Sequence, residues 1–302
     1  MVKKKRGVKR SAKDIVFDVA VYTVLIVLFV LLAYPLVYVV SASVTTASDV
    51  LTGKMWLYPT SFTLSAYGKI FAYKEIWVGF ANSVFYVVVG TAVSLFFTFT
   101  AAYPLSRKDF MLRGFIMKVY TVTLFFGGGI VPYFLLVKGL GMYNSRLSLI
   151  IPSAVSVWNI ILVRTYFLTN IPDDLLDAAR VDGCGNVRFF LQFALPLSAP
   201  IIAVMIMYYA VAKWNGYFDA LIFLNDSSKY PLQLTLRTLL VNSQMELMTG
   251  GGIGGSNLID QLNAMEAMKY GVIVIASIPM IVLCTATQKY FQKGIMVGSL
   301  KG

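Results

Sequence analysis

The sequence predicts an all-α polytopic membrane protein with six transmembrane helices and both termini in the cytoplasm. Three observations carry that reading. Of the 302 residues, 58% are hydrophobic and 13% charged, against about a quarter charged in an average soluble domain. Six stretches approach the roughly 20 mostly apolar residues that a spanning helix needs. Seven basic residues (Lys3, Lys4, Lys5, Arg6, Lys9, Arg10 and Lys13) crowd ahead of the first stretch. That position favours a cytoplasmic flank over a nucleic-acid tail as the reading of the +12 net charge.

The predicted spans are Phe17–Ser41, Gly79–Pro104, Phe115–Val137, Leu147–Leu168, Leu197–Leu224 and Tyr270–Phe291. The first is too long for a cleavable leader and lacks a small-residue cleavage pattern, so it reads as a retained span. Residues 1–16 form a basic cytoplasmic N-terminus, and residues 17–302 one transmembrane domain. With the N-terminus inside, Arg107, Lys108, Arg113, Arg180 and Arg188 fall on short inner connections, and Lys289, Lys293 and Lys301 at the inner C-terminal end.

In the second span, Gly90 and Ser94 form a small-xxx-small pair suited to close helix contact. The third contains Gly127, Gly128, Gly129 and Pro132, a break expected to kink the helix and to move or to line a path. Two outer segments are long. Residues 42–78 read as folded but not spanning. Residues 225–269 read as an extracellular loop, with Gly250, Gly251, Gly252, Gly254 and Gly255 in its mobile part. Those glycines lack the G-x-x-x-x-G-K-[ST] pattern, so nothing here reads as a nucleotide site.

The chain has no histidine and two cysteines, which argues against a Cys/His metal cluster or a Cys/His nucleophile. Cys284 lies in an apolar run, where it reads as a small buried hydrophobe. Lys213 and Asp219 fall within or at the outer end of the fifth span. Lipid exposure at mid-bilayer would cost a lysine about 2.5–3.5 kcal/mol, so both should face protein, interface or cavity. Two readings stand: snorkelling at the boundary beside Trp214 and Tyr217, or a polar, aromatic vestibule for a sugar-like solute. Trp158, Asn159, Tyr209, Trp214 and Asn215 are the candidate lining of such a path.

The segment 169–196 lies between the fourth and fifth spans and reads as cytoplasmic. Pro172, Asp173 and Asp174 start a helix well, because proline suits its first turn and carboxylates its positive end. The helical repeat puts Asp173, Asp174 and Asp177 on one side and Leu175, Leu176 and Ala179 on the other. Gly183 and Gly185 can then take backbone angles barred to other residues. A second piece, Val187–Leu195, can lie at the membrane surface before Pro196 begins the next span. Such an elbow suits a groove on a partner protein. An interfacial helix in the headgroups is the alternative, and three acidic residues suit anionic lipid poorly.

These residues resemble the coupling loop of binding-protein-dependent ABC importer permeases, E-A-A-x3-G-x9-I-x-L-P. The match is Asp177-Ala178-Ala179, Gly183, then Phe193, Ala194 and Leu195-Pro196, with Asp for Glu and Phe for Ile. WNGYFDALIFLND, YPLQLTL and QKYFQKGIMVGSLKG look like the maltose-type carbohydrate branch, and FFGGGIVPYFLLVKGLGMYNS like its complex-oligosaccharide subgroup. The resemblance implies the type I permease fold of a bacterial plasma-membrane importer that carries a sugar. It also implies a second permease, an ABC ATPase dimer and an external solute-binding lipoprotein as partners. By that likeness ATP and Mg sit on the ATPase and no cofactor on this chain. Asp173, Asp174, Asp177, Ala178, Ala179, Asp182, Gly183 and Gly185 would couple to the ATPase, the tail 292–302 would reach between its subunits, and Gly250–Gly255 would probe the binding protein. A permease for peptides or amino acids, a membrane enzyme and a structural scaffold are the rival readings.

Overall fold

The computed structural model describes residues 11–248 and 268–288. Among them all regular structure is helical. They divide into two compact units, one drawn from residues 11–70, 246–248 and 268–275, the other from residues 71–245 and 276–288.

In the first unit, α1 (Ala12–Ser43) is a 32-residue helix with its apolar side chains exposed along its length. Ser11 caps it: the Ser11 backbone N–H donates to Asp14 Oδ2 at 3.0 Å. Two short helices follow, α2 (Ala47–Leu51) and α3 (Ser65–Ala72). The Asp49 carboxylate ties the connection by accepting from the hydroxyls of Thr60 and Ser61, each at 2.9 Å. Those hydrogen bonds hold its pKa below the usual carboxylate range. Between α1 and the next long helix, which starts at Lys74, the chain is thus folded with no helix longer than eight residues. The predicted segment 42–78 also takes in the end of α1 and the start of that next helix.

The second unit is built on α4 (Lys74–Ser106), a 33-residue helix. Asn82, Tyr86, Gly90, Ser94, Thr98 and Ala102 recur every fourth residue on it, and all are buried. That spacing makes one slowly turning stripe of small and polar groups. The third predicted span is α5 (Arg113–Phe125) and α6 (Ile130–Gly139), which meet at 118° across the glycine triplet. That is far more than the expected kink. The fourth divides into α7 (Leu147–Ile150) and α8 (Val157–Asn170), with Pro152 in the break.

Next come α9 (Asp173–Val181), α10 (Asn186–Phe189), a π-turn at Phe190–Ala194, α11 (Leu195–Leu197) and α12 (Ala199–Asn215). The piece Asn186–Leu197 meets α12 at 80°. Ser198 marks the corner, its hydroxyl donating to the Ala194 carbonyl at 2.7 Å. The fifth predicted span, Leu197–Leu224, is therefore shorter than expected. It ends at Asn215, Gly216 breaks it, and α13 (Phe218–Phe223) follows. The segment 225–269 is only in part a loop, since α14 (Leu232–Met248) occupies much of it, with Leu232, Leu234 and Leu236 buried.

The last described helix, α15 (Met268–Gln288), runs through both units. Cys284 is exposed on it and not buried as expected, because it falls on the outward face of an apolar helix. Three helices (α1, α4 and α15) are long and apolar enough to cross a membrane, and five segments are if each bent pair counts once. The glycine run Gly250–Gly255 and the tail 292–302 lie outside the described residues.

Candidate functional site

The predicted elbow forms as α9. Its inner face carries Leu176 and Ala179 into a buried cluster with Phe99, Tyr103, Val163 and Phe167, while Asp173, Asp174, Asp177 and Ala178 are exposed. The helix closes at Gly183, whose φ of 74° only glycine adopts without strain. The Cys184 N–H donates to the Ala179 carbonyl at 2.9 Å and the Gly183 N–H to that of Arg180 at 3.0 Å, which is a Schellman closure. Gly185 does not share that role, because its φ of −75° suits any residue. Around the turn Val181 is 88% exposed and Val187 73%. The projecting surface is small and partly apolar, with Asp182 beside it.

Sequence reasoning missed what braces the elbow. The connection after α4 contributes Lys108, whose Nζ lies 2.7 Å from Asp173 Oδ2, and Asp109, which pairs with Arg180. The hydrogen bond from Arg180 holds Asp109 below the usual carboxylate range, and the one from Lys108 does the same for Asp173. Arg107, 8% exposed, lies over the rings of Tyr103 and Phe189 at 5.1 and 5.8 Å. Arg164 Nε donates to the Leu105 carbonyl at 2.9 Å. The signal was the run SRKDF, which reads as inner-side charge alone until the fold places it against α9. Two of the three helix-face acids are thus already partnered within the chain, Asp173 by Lys108 and Asp177 more loosely by Arg180 at 3.9 Å.

A second site lies in the same unit, a cavity of about 420 Å³ between α4, α7, α8, α12 and α13. Asn159 and Tyr209 line it, together with Tyr86, Ser153, Lys213 and Asp219. Tyr209 is 4% exposed and its hydroxyl meets Thr98 Oγ1 at 2.6 Å. Of the other candidates, Trp214 is buried in helix packing, with Nε1 donating to the Ala276 carbonyl at 3.0 Å. Trp158, 55% exposed, and Asn215 lie outside the cavity lining. Tyr209 also belongs to the cluster that buries Leu176 and Ala179, so one apolar core joins elbow and cavity.

The sequence pattern of the binding-protein-dependent transport system inner membrane component matches residues 90–297, which takes in α9, the elbow turn and the cavity-lining helices α8, α12 and α13. The chain belongs to that family. It is the membrane-spanning permease subunit of an ABC importer, a transporter component and not an enzyme, at home in a bacterial inner membrane. Partners of the general kinds expected follow from membership: a second permease, an ATPase and a solute-binding protein.

The permease is 39% identical over 291 residues, 96% of its length and all of the relative's, to the polygalacturonan/rhamnogalacturonan transport system permease protein YtcP of Bacillus subtilis. It is 36% identical to the protein LplC of the same organism over 89% of each chain. A crystal structure of a bacterial ABC transporter involved in the import of the acidic polysaccharide alginate contains a chain of like fold. Its TM-score is 0.84 at 30% identity, over 94% of this chain and all of that one.

Proposed function

We propose that this permease forms half of a heterodimeric pore that imports a sugar or oligosaccharide, delivered by an external solute-binding protein and driven by a separate ABC ATPase dimer. One observation carries the reading: the core that buries the inner face of α9 also holds Tyr209, a wall of the polar cavity. A displacement of the elbow is then passed to the cavity by packed side chains, since close-packed cores transmit strain.

In this reading the domain is a six-span bundle with its N- and C-termini inside, residues 1–16 being the basic flank. The broken pair α5/α6 counts as the third span, α7 with α8 supplies the fourth, and α12 supplies the fifth. Residues 169–196 are the coupling loop. Asp173, Asp174, Asp177, Ala178, Asp182, Gly183 and Gly185 form its surface for the ATPase, and the expected Ala179 does not, because it is buried against the core. Asp173 acts there as a brace to Lys108, and Ala179 anchors the helix in the core. Asn159 and Tyr209 line the solute path. Gly250–Gly255 contact the binding protein, the tail 292–302 reaches towards the ATPase, and ATP with Mg is bound by that partner. ATP closure favours one global state, and the elbow carries that preference into the membrane.

The sugar assignment draws support from relatives named for the transport of polygalacturonan/rhamnogalacturonan and of arabinooligosaccharides. Affinity purification of the chain in mild detergent from its native host tests the assembly. Recovery of an ATPase, a second permease and a solute-binding protein is expected. Recovery of the chain alone, or as a homo-oligomer without an ATPase, would overturn it.

A further inference from the structure

The sequence left Lys213 between snorkelling and a vestibule, and the structure turns it inward. Its Nζ lies 3.1 Å from Ser153 Oγ on the break between α7 and α8. Its stem lies flat across α4 at Gly90. A Cβ built there would stand 2.5 Å from Lys213 Cδ, 2.7 Å from Cε and 3.0 Å from Nζ. Gly90 therefore provides the groove in which the lysine lies.

An ammonium has three donors. Among the described residues Lys213 makes one hydrogen bond, to a neutral hydroxyl, and no ion pair. Asp219 lines the same cavity and attracts Lys213 across it, but the two do not close into an ion pair, so the three donors of the ammonium stay largely open. Removing a cation from water costs several kcal/mol unless a counter-charge meets it. A charge-assisted hydrogen bond is about twice as strong as a neutral one, so a solute carboxylate is the partner that offsets this cost best. Asp219 repels that carboxylate and accepts from hydroxyls, which fixes which end of a sugar faces which wall. The rings of Tyr86, Tyr208 and Tyr209 line the remainder and suit the C–H face of a pyranose.

We propose that Lys213 reads a carboxylate on the cargo, so that the solute is an acidic, uronate-containing oligosaccharide. This rests on the sugar-import reading above and names its substrate class.

The test is uptake of labelled trigalacturonate and of galactotriose by cells carrying the complete transporter, with membrane abundance checked for each variant. The wild type takes up trigalacturonate in preference. K213Q lowers that uptake by about tenfold or more, the order expected for one charge-assisted hydrogen bond, and K213R retains most of it. G90L displaces the lysine without removing its charge and gives the same selective loss, so the test does not hang on one variant. Unchanged trigalacturonate uptake in both K213Q and G90L, or equal loss of both sugars, overturns the role of Lys213. A wild type that prefers galactotriose overturns the acidic class and leaves sugar import standing. Uptake of neither sugar overturns the sugar reading itself.

Discussion

The elbow and the cavity both carry charge, and they handle it in opposite ways. At the elbow, Lys108–Asp173 and Asp109–Arg180 are paired within the chain and exposed to solvent. Exposed pairs contribute only about 0–1 kcal/mol each, so they set the angle of α9 without making it rigid. Rigidity comes from Leu176 and Ala179 in the core. In the cavity, Lys213 and Asp219 are half-buried and not paired with each other. Charges closed on one another suit a lever, and charges left open suit a ligand.

The largest expected effect comes from the elbow's one left-handed residue. Gly183→Val forces a β-branched side chain into a backbone region costing about 1–3 kcal/mol. Transport should fall about tenfold or more while the amount of protein in the membrane stays the same, as read by uptake and immunoblot. Gly185→Ala should cost little, because its backbone angles are ordinary. Normal transport in Gly183→Val would remove the elbow from the coupling path.

A smaller effect is expected midway between the two regions. Tyr209→Phe deletes the buried 2.6 Å hydrogen bond to Thr98. Interhelical hydrogen bonds in membrane bundles average about 0.6 kcal/mol and reach about 1.7. A loss near 1 kcal/mol should lower the melting temperature in detergent by a few degrees. A cavity wall independent of the elbow would show that shift with transport unchanged, whereas the shared core predicts that transport falls too.

The smallest effect belongs to the braces. Lys108→Ala and Asp173→Asn should each change stability by under about 1 kcal/mol, and the double variant should add little to either. The pKa values of Asp173 and Asp109 are lowered in the folded protein. Their stabilisation is therefore full above the unfolded carboxylate pKa of about 4 and is lost only as pH falls through the folded values. Melting temperature should be flat from pH 6 to 8 as far as these two groups are concerned.

The elbow was legible because local rules wrote it. Pro172, the acidic first turn, the 3.6-residue repeat and Gly183 all act within a dozen residues. The apolar spans were legible from composition, but not their breaks. Gly127–Gly129 mark where α5 and α6 part, yet the 118° between them is set by packing. Residues 225–248 read as loop because the α14 sequence, with Thr235, Arg237, Asn242 and Ser243, carries a weak helical repeat. Its helix is anchored instead by tertiary bonds, with the Leu232 N–H donating to Ser83 Oγ at 2.8 Å. Lys108 and Asp109 lie more than sixty residues from α9 in sequence, so no local pattern points to their role. The aromatics Trp158 and Trp214 drew attention through composition, whereas Ser153 is too ordinary to stand out and Gly90 reads in the sequence only as a helix-contact residue, not as the groove for Lys213.

The central claim is that the α9 elbow is seated in an ATPase subunit. A photo-crosslinking amino acid placed at Ala178, exposed on α9, tests it in membranes carrying the complete transporter, with the adducts identified by mass spectrometry. The account predicts a covalent adduct with the ATPase. Adducts with lipid alone, from membranes in which the ATPase co-purifies with this chain, would contradict it.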